Sequence, residues 1–147
     1  MTKTFTAAFA QTPKTNSVML TAAVALTGAN SLADPASAVN NTSLLYTAPA
    51  EGAIVTDLRF VPRATTTLMG GMFFIRHSAK PSTERHYQGC VVIPANTVSV
   101  SSPPVSYVIS NISETTPLRL GAGDEVHVGL TVANTGGITA AIQATEF

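Results

Sequence analysis

Residues 118–132 (LRLGAGDEVHVGLTV) carry the clearest secondary-structure signal in the chain. From Val126 to Val132 every second residue is apolar, and polar residues or glycine fill the positions between. Successive side chains of a β-strand point to opposite faces, so this spacing predicts a strand with one apolar and one polar face. Turn sequences rich in glycine precede it at 121–124 and follow it at 134–137. The last run, 138–147, is then predicted to pair with this strand as a C-terminal β-hairpin.

Working back from this hairpin, the chain reads as a series of short strands. Strands are predicted at 43–48, 53–61, 68–78, 87–93 and 105–110, and at 18–26, where an alanine-rich composition competes with a strand assignment. Glycine, proline and asparagine separate them, and no segment predicts a helix. Eight or nine short strands separated by such turn residues favour an all-β, antiparallel β-sandwich of the jelly-roll type.

Two of the predicted strands carry finer signals. In 53–61 we place Ile54, Leu58 and Phe60 on one face, with Asp57 and Arg59 on the other. The run 68–78 is continuously apolar at its centre, which predicts that both of its faces are buried. The pair Gly70-Gly71 inside that run predicts a bulge or a close approach to the backbone.

The amino-acid composition limits the classes of function that are expected. The chain of 147 residues has zero formal net charge, and only 11% of its residues are charged, against about 25% in ordinary soluble domains. Without a basic excess it is not expected to bind nucleic acid. No stretch is long and apolar enough for a membrane span, and no signal peptide is recognised, so synthesis in a cytoplasm is expected. A charge-poor surface favours association, and we expect a homo-oligomer.

No catalytic or cofactor motif is found. Cys90 is the sole cysteine and lies in an apolar run, which predicts a buried, inert thiol. His77, His86 and His127 have no spacing that demands a metal, although the first two flank one loop. Asp124 and Glu125 are interpreted as solvated turn acids, and no nucleophile elbow or phosphate loop is present. We therefore predict no enzyme activity, no cofactor and no metal.

Three residues are candidates for an interface. Phe5 and Phe9 lie within residues 1–16, which we interpret either as an extended N-terminal arm that docks on a neighbouring subunit or as the first core strand. Residues 17–147 are predicted to form a single β-sandwich domain. Arg63 follows Pro62 at the end of a predicted strand, where an interface role and a solvated loop arginine are equally good interpretations.

Residues 42–52 (TSLLYTAPAEG), 54–67 (IVTDLRFVPRATTT) and 71–75 (GMFFI) resemble a family of small structural proteins of tailed bacteriophages. The end of the chain, from 117–124 (PLRLGAGD) to Phe147, is similar to theirs too. The resemblance covers residues 42–147 and rests on the order of strands and turns, whereas residues 86–90 (HYQGC) match nothing in it.

This resemblance implies a β-sandwich protein of the virion. The expected function is that of a head decoration (cement) protein on the capsid surface, which stabilises the shell through non-covalent contacts with the major capsid protein and acts as a homotrimer. Two alternatives remain open: a tail, collar or fibre component of the same fold, and a carbohydrate- or receptor-binding module. The second would need exposed aromatic residues, and the chain has no tryptophan and only Tyr46, Tyr87 and Tyr107 as tyrosines.

Overall fold

The computed structural model describes residues 11–24, 42–81 and 84–147. Within these residues all the regular elements are β-strands. They are β1 (Thr12–Leu20), β2 (Ser43–Thr47), β3 (Ala53–Pro62), β4 (Met69–Arg76), β5 (His86–Ile93), β6 (Tyr107–Val108), β7 (Leu118–Leu120), β8 (Glu125–Leu130) and β9 (Ile138–Glu146).

The strands form two antiparallel sheets that pack face to face as a jelly-roll β-sandwich. Sheet A has the order β1-β9-β3, with β6 and β7 both pairing along the far side of β3. Sheet B has the order β2-β8-β4-β5. Along the chain, most strands are followed by a strand of the opposite sheet, as in a jelly roll. The two exceptions are β5, which follows β4 in sheet B, and β7, which follows β6 in sheet A. The all-β, antiparallel sandwich expected from the sequence is confirmed.

The predicted C-terminal hairpin is wrong. Both strands form, but β8 lies in sheet B between β2 and β4, while β9 lies in sheet A between β1 and β3. The turn at residues 134–137 therefore carries the chain from one sheet to the other. The Asn134 side chain fixes this turn by accepting from the Gly137 amide at 3.0 Å and donating to the Thr65 carbonyl at 3.2 Å.

The core lies between the two sheets. Its largest fully buried side chains include Phe60 from sheet A and Phe73 from sheet B. Gly71 of β4 lies directly beneath the Phe60 ring, because a Cβ at this position would be 2.7 Å from the ring's Cγ. The expected close approach at Gly70-Gly71 is confirmed, and so is the burial of both faces of β4.

The alternation in β3 shifts by one residue midway along the strand. A bulge at Thr56, between the pairs formed by Val55 and Asp57, interrupts the register with β9. As a result Val55, Leu58 and Phe60 are buried, whereas Ile54 is only half-buried. The prediction that Ile54 shares the core face was wrong because a bulge adds one residue and reverses the direction of every side chain before it.

The outer face of β8 is covered. The segment from Thr21 to Val24 runs along sheet B, where the Val24 amide donates to the Leu130 carbonyl at 2.7 Å. Val24 packs with Met72 and Phe74 in a second, smaller apolar cluster. The predicted division of β8 into an apolar and a polar face is confirmed, but the polar face is covered and His127 on it is buried.

The N-terminal part of the described chain is an edge strand. β1 pairs along its whole length with β9, from Thr12 opposite Glu146 to Leu20 opposite Ile138. It thus runs across residue 16, where the sequence suggested a boundary between arm and domain. Phe5 and Phe9 lie outside the described residues.

Candidate functional site

A network of charged and imidazole groups lies on the outer face of sheet B, where β4 ends and β8 begins. Glu125 is its centre: one carboxylate oxygen is 2.9 Å from Nε2 of His127, and the other is 3.5 Å from Nη1 of Arg76. The strand register places these residues together, because Arg76 pairs with Glu125 across the sheet. Only 5% of the His127 side chain is exposed. Glu125 is therefore an ion-pair partner, and its interpretation as a solvated turn acid was wrong.

The loop before β5 closes over the same end of the sandwich. Arg85 donates from Nη1 to the Thr42 hydroxyl at 2.6 Å, and Nε2 of His86 lies 2.8 Å from the Glu84 carboxylate. The His77 and His86 rings have centroids 5.8 Å apart, so the two imidazoles that flank the loop do meet. The described residues nevertheless contain no group of three or more histidine, cysteine or acidic side chains that could hold a metal.

Asp124 anchors this end of the fold. Its carboxylate accepts from the amides of Ser78 and Gly121, both at 3.0 Å, and lies 3.6 Å from Nδ1 of His77. Burial alone would raise the pKa of Asp124, but the two amide donors and the nearby imidazole outweigh it and hold the pKa below its ordinary value. Asp124 thus joins the loops after β4 and β7, and it too was wrongly interpreted as a solvated turn acid.

Burial lowers the pKa of His127 below its ordinary value. The hydrogen bond to Glu125 opposes this shift, and the positive charges of Arg85 and Arg76 add to it. The imidazole is therefore neutral at pH 7 and uses Nε2 to donate to Glu125. Among the described residues none hydrogen-bonds its Nδ1 atom.

This depressed pKa predicts a pH-dependent loss of stability. Below about pH 6.5, the ordinary pKa of histidine, the unfolded chain binds a proton that the folded chain resists, so acidification favours unfolding. The contribution of His127 is fully present above that pH and is lost as the pH falls toward its lower folded value. We expect the wild type to lose more thermal stability between pH 7.5 and 5.5 than His127→Gln, as measured by calorimetry. Equal losses in the two proteins would contradict a neutral, buried imidazole.

The chemistry open to this network is electrostatic. Glu125 is shared between a guanidinium and an imidazole, and the neighbouring hydroxyl, that of Thr42, accepts a hydrogen bond from Arg85. This arrangement ties the loop at 84–85 and residue 42 to sheet B. The Cys90 thiol lies apart from it on β5 and is exposed, so the expectation of a buried thiol was wrong. Cys90 faces outward because its neighbours Val91 and Ile93 take the inward positions of the strand.

A different surface surrounds Arg63, which we call the Arg63 end: the loops at 63–68 and 131–137. Arg63 is exposed, its amide donates to the Gly137 carbonyl at 3.0 Å, and its guanidinium Nη1 lies 2.6 Å from the Met19 sulfur. An open pocket next to it is lined only by uncharged residues, among them Ala64, Thr67 and Thr135. Met19, Leu68 and Val132 are exposed apolar side chains of this part of the chain.

Sequence reasoning singled out Arg63 but missed the buried network. The structure brings Arg63 together with Met19 through the adjacent ends of β1 and β3, whose strands both pair with β9. The signal available for the network was the alternation of Glu125 and His127 on one face of β8. That pattern places the two side chains on the same side of the strand but contains nothing about what covers them.

Comparison with known proteins adds little to this description. No protein-family model matches the sequence, and no curated protein matches it either. Among solved structures the chain resembles the Eiger TNF structure from S. frugiperda at 10% identity and a TM-score of 0.47, over 90% of this chain and 85% of that one. None of the described segments is a helix able to cross a membrane. The two sheets and their connections identify the fold of this chain as a jelly-roll β-sandwich.

Proposed function

We propose that the chain is a structural protein of a bacteriophage virion, a head decoration protein that binds the major capsid protein and stabilises the shell. A protein that binds only the assembled shell stabilises it by mass action, without any chemical step. Such a protein needs a rigid scaffold and a surface suited to contact. Jelly rolls serve as scaffolds in viral capsid and lectin domains, so the fold is compatible with this function without requiring it.

The observation that carries the proposal is the chemistry of the Arg63 end. Its loops hold a single charged residue, Arg63, beside an uncharged pocket and the exposed side chains of Met19, Leu68 and Val132. Interfaces are depleted in charged residues at their cores, whereas arginine and methionine are enriched there. A lone arginine among uncharged residues therefore suits a contact with an acidic or carbonyl-rich patch on a capsid subunit.

The loops of the Arg63 end are also held in place before any partner binds. Asn134 joins the two loops through Thr65, and its amide donates to the Thr21 carbonyl at 2.9 Å. Thr66 exchanges two backbone hydrogen bonds with Asn96, at 2.9 and 3.1 Å, and its hydroxyl donates to the Pro94 carbonyl. A surface fixed in this way loses little conformational entropy on docking, which favours tight binding over a small area.

The first experiment locates the chain. Particles of the phage that encodes it are purified and imaged by electron microscopy, with labelled antibody against the chain. We expect density at local threefold or quasi-threefold axes of the head. Density confined to the tail would support the tail, collar or fibre alternative instead, and absence of the chain from purified particles would contradict both.

The second experiment tests the surface. Binding of purified protein to heads that lack it is measured by co-sedimentation, and we expect Arg63→Glu to weaken binding at least tenfold because it reverses the one charge at this end. Arg119→Glu is the matched control, since exposed Arg119 pairs with Ile54 at the opposite end of β3. Equal binding by Arg63→Glu and the wild type would contradict the proposed contact surface.

Two of the three tyrosines are poorly placed for carbohydrate binding. Tyr46 is buried, and its hydroxyl donates to Glu146 at 2.9 Å, linking the two sheets. Tyr87 is half-buried and packs edge-on against Phe74, with ring centroids 5.8 Å apart. Stacking on a sugar ring requires an accessible aromatic face, which buried Tyr46 does not offer and half-buried Tyr87 offers only in part.

A further inference from the structure

One long segment at the edge of the sandwich contains no charged residue. Between Tyr87 and Ser113, a range that includes β5, β6 and the loop joining them, the sequence contains no lysine, arginine, aspartate or glutamate. β5 is an edge strand of sheet B, and it lies beside β6, an edge strand of sheet A. We call this side of the molecule the β5–β6 edge. The uncharged segment carries four of the exposed valines, of which Val92 lies on β5 and Val108 on β6, while Val100 and Val105 lie between those strands in sequence.

Backbone groups of β5 point away from the sheet. Gly70 directs both its amide and its carbonyl toward Thr131 on the β8 side, so the alternation of an antiparallel ladder directs those of Gly71 toward β5. Gly71 pairs with Val91, and the backbone groups of Cys90 and Val92 therefore face outward. No strand of the described part of the chain pairs with β5 on that side.

From these observations we infer that the β5–β6 edge is a self-association surface, on which β5 pairs antiparallel with β5 of a second copy of this chain. An isologous contact of this kind brings the same surface together twice about a twofold axis. The two four-stranded sheets B would then join into one continuous sheet across the pair. The inference goes beyond the proposed function, since it concerns purified protein and does not depend on what shell the chain binds.

The features that end the regular part of β5 set its register. A bulge at Gln88 lies on one side, and Pro94, which has no amide hydrogen, lies on the other. The usable segment runs from Gly89 to Ile93, and its midpoint is Val91. A twofold axis at Val91 pairs Cys90 with Val92 of the second copy, and both residues have their backbone groups directed outward.

Charge favours a second copy as the occupant. With the axis at Val91, the charged residues before β5, Glu84 and Arg85, face the region around Asn96 and Val98 of the other copy, which is uncharged. No like charges are therefore opposed across the pair, an arrangement that would be destabilising. A stable interface buries roughly 1,000 Å² or more, so the dimer needs apolar contact beyond the paired strands, which Val92 on β5 and Val108 on neighbouring β6 are expected to supply.

The test is the mass of the purified protein in solution, measured by sedimentation over a concentration series. We expect a reversible dimer of the 15.2 kDa chain, and not the homotrimer that the phage resemblance implies. Val92→Asp introduces two carboxylates into one interface and is expected to weaken association at least tenfold. Val92→Pro removes an outward amide without touching the ladder to β4 and is expected to do the same, whereas Val92→Thr keeps the amide and is expected to associate normally.

Val132→Asp is the matched control, because Val132 is an exposed valine at the Arg63 end. It is expected to dimerise like the wild type. Circular dichroism and thermal melting confirm that each variant is folded, and Val92→Asp keeps the test valid if the proline variant does not fold. A wild type that stays monomeric at every soluble concentration, or an association unaffected by Val92→Asp, would overturn the inference.

The proposed register between the two β5 strands is tested with the thiol of Cys90. Antiparallel residues in a hydrogen-bonded pair have Cα atoms about 5.5 Å apart, a distance that a disulfide spans. On mild oxidation Val92→Cys is expected to form a covalent dimer through Cys90 of the other copy, seen on a non-reducing gel. The double variant Cys90→Ser, Val92→Cys is expected to remain uncross-linked, and equal cross-linking of the two would overturn the axis at Val91.

Discussion

Phe60→Ala is expected to lower the free energy of unfolding by about 3–5 kcal/mol, the usual cost of deleting a large buried aromatic side chain. Phe60 is fully buried between the sheets, and its ring covers the backbone of Gly71 in the opposite sheet. Removing the ring leaves a cavity. The neighbouring strands can fill it only in part, because their interstrand hydrogen bonds hold them in position. Denaturant unfolding measured on both proteins gives the difference directly.

The same contact predicts how a second substitution behaves. Gly71→Ala adds a methyl group 2.7 Å from the Phe60 ring, and overpacking of this kind costs about 1–3 kcal/mol. In the Phe60→Ala background the ring is absent, so the added methyl fills part of the cavity and costs less. A double-mutant cycle should therefore show strong coupling between the two residues.

Gly70→Ala is the matched control, since its added methyl would meet the Thr131 side chain at 3.1 Å instead of a core ring. We expect a smaller cost and no coupling to Phe60. Additive effects of Gly71→Ala and Phe60→Ala would show that the ring does not limit the size of residue 71.

Glu125→Ala is expected to destabilise the protein by about 2 kcal/mol. This lies between the small value of an exposed ion pair and the 3–5 kcal/mol of a fully buried one, because Arg76 and Glu125 are each about one-fifth exposed. The substitution removes the acceptor of His127 and the counter-charge of Arg76, whose Nε atom has no partner among the described residues. The His127 imidazole then lacks its hydrogen-bond acceptor and the Arg76 guanidinium lacks its counter-charge, on a face of the sheet that other residues cover.

Two further substitutions calibrate that result in the same unfolding experiment. Glu125→Gln keeps an acceptor for His127 and removes only the charge, so it is expected to fall between the wild type and Glu125→Ala. Glu51→Ala removes an exposed acid from the turn before β3 and should change stability by less than about 0.5 kcal/mol. A loss no larger for Glu125→Ala than for Glu51→Ala would mean that the network does not stabilise the fold.

The sequence predicted the class of fold because alternation and turn residues are local properties. The apolar run of β4 and its paired glycines correctly indicated a strand buried on both faces and a close approach at Gly71. What alternation does not contain is the identity of a strand's neighbours. β8 and β9 are adjacent in sequence and were therefore assigned to one hairpin, although the turn at 134–137 carries the chain between sheets.

The candidate site was harder to predict for a related reason. The alternation in β8 placed Glu125 and His127 together, but whether that face is covered depends on Val24, more than a hundred residues earlier in the chain. The exposure of Cys90 depends likewise on β5 being the last strand of its sheet. Arg63 follows the end of β3 as expected, because proline ends strands by a local mechanism, and its side chain is exposed; its interface role stays a prediction.

The position of β9 also determines when the protein can fold. β9 follows the other described strands in sequence, yet it is an interior strand of sheet A, hydrogen-bonded to β1 on one side and β3 on the other. Until it emerges, those two strands have no partner between them, and the nascent chain keeps open edges that other chains can bind. Sheet A can therefore be completed only after residues 138–146 have been synthesised, and a truncation that removed them would remove an interior strand of that sheet.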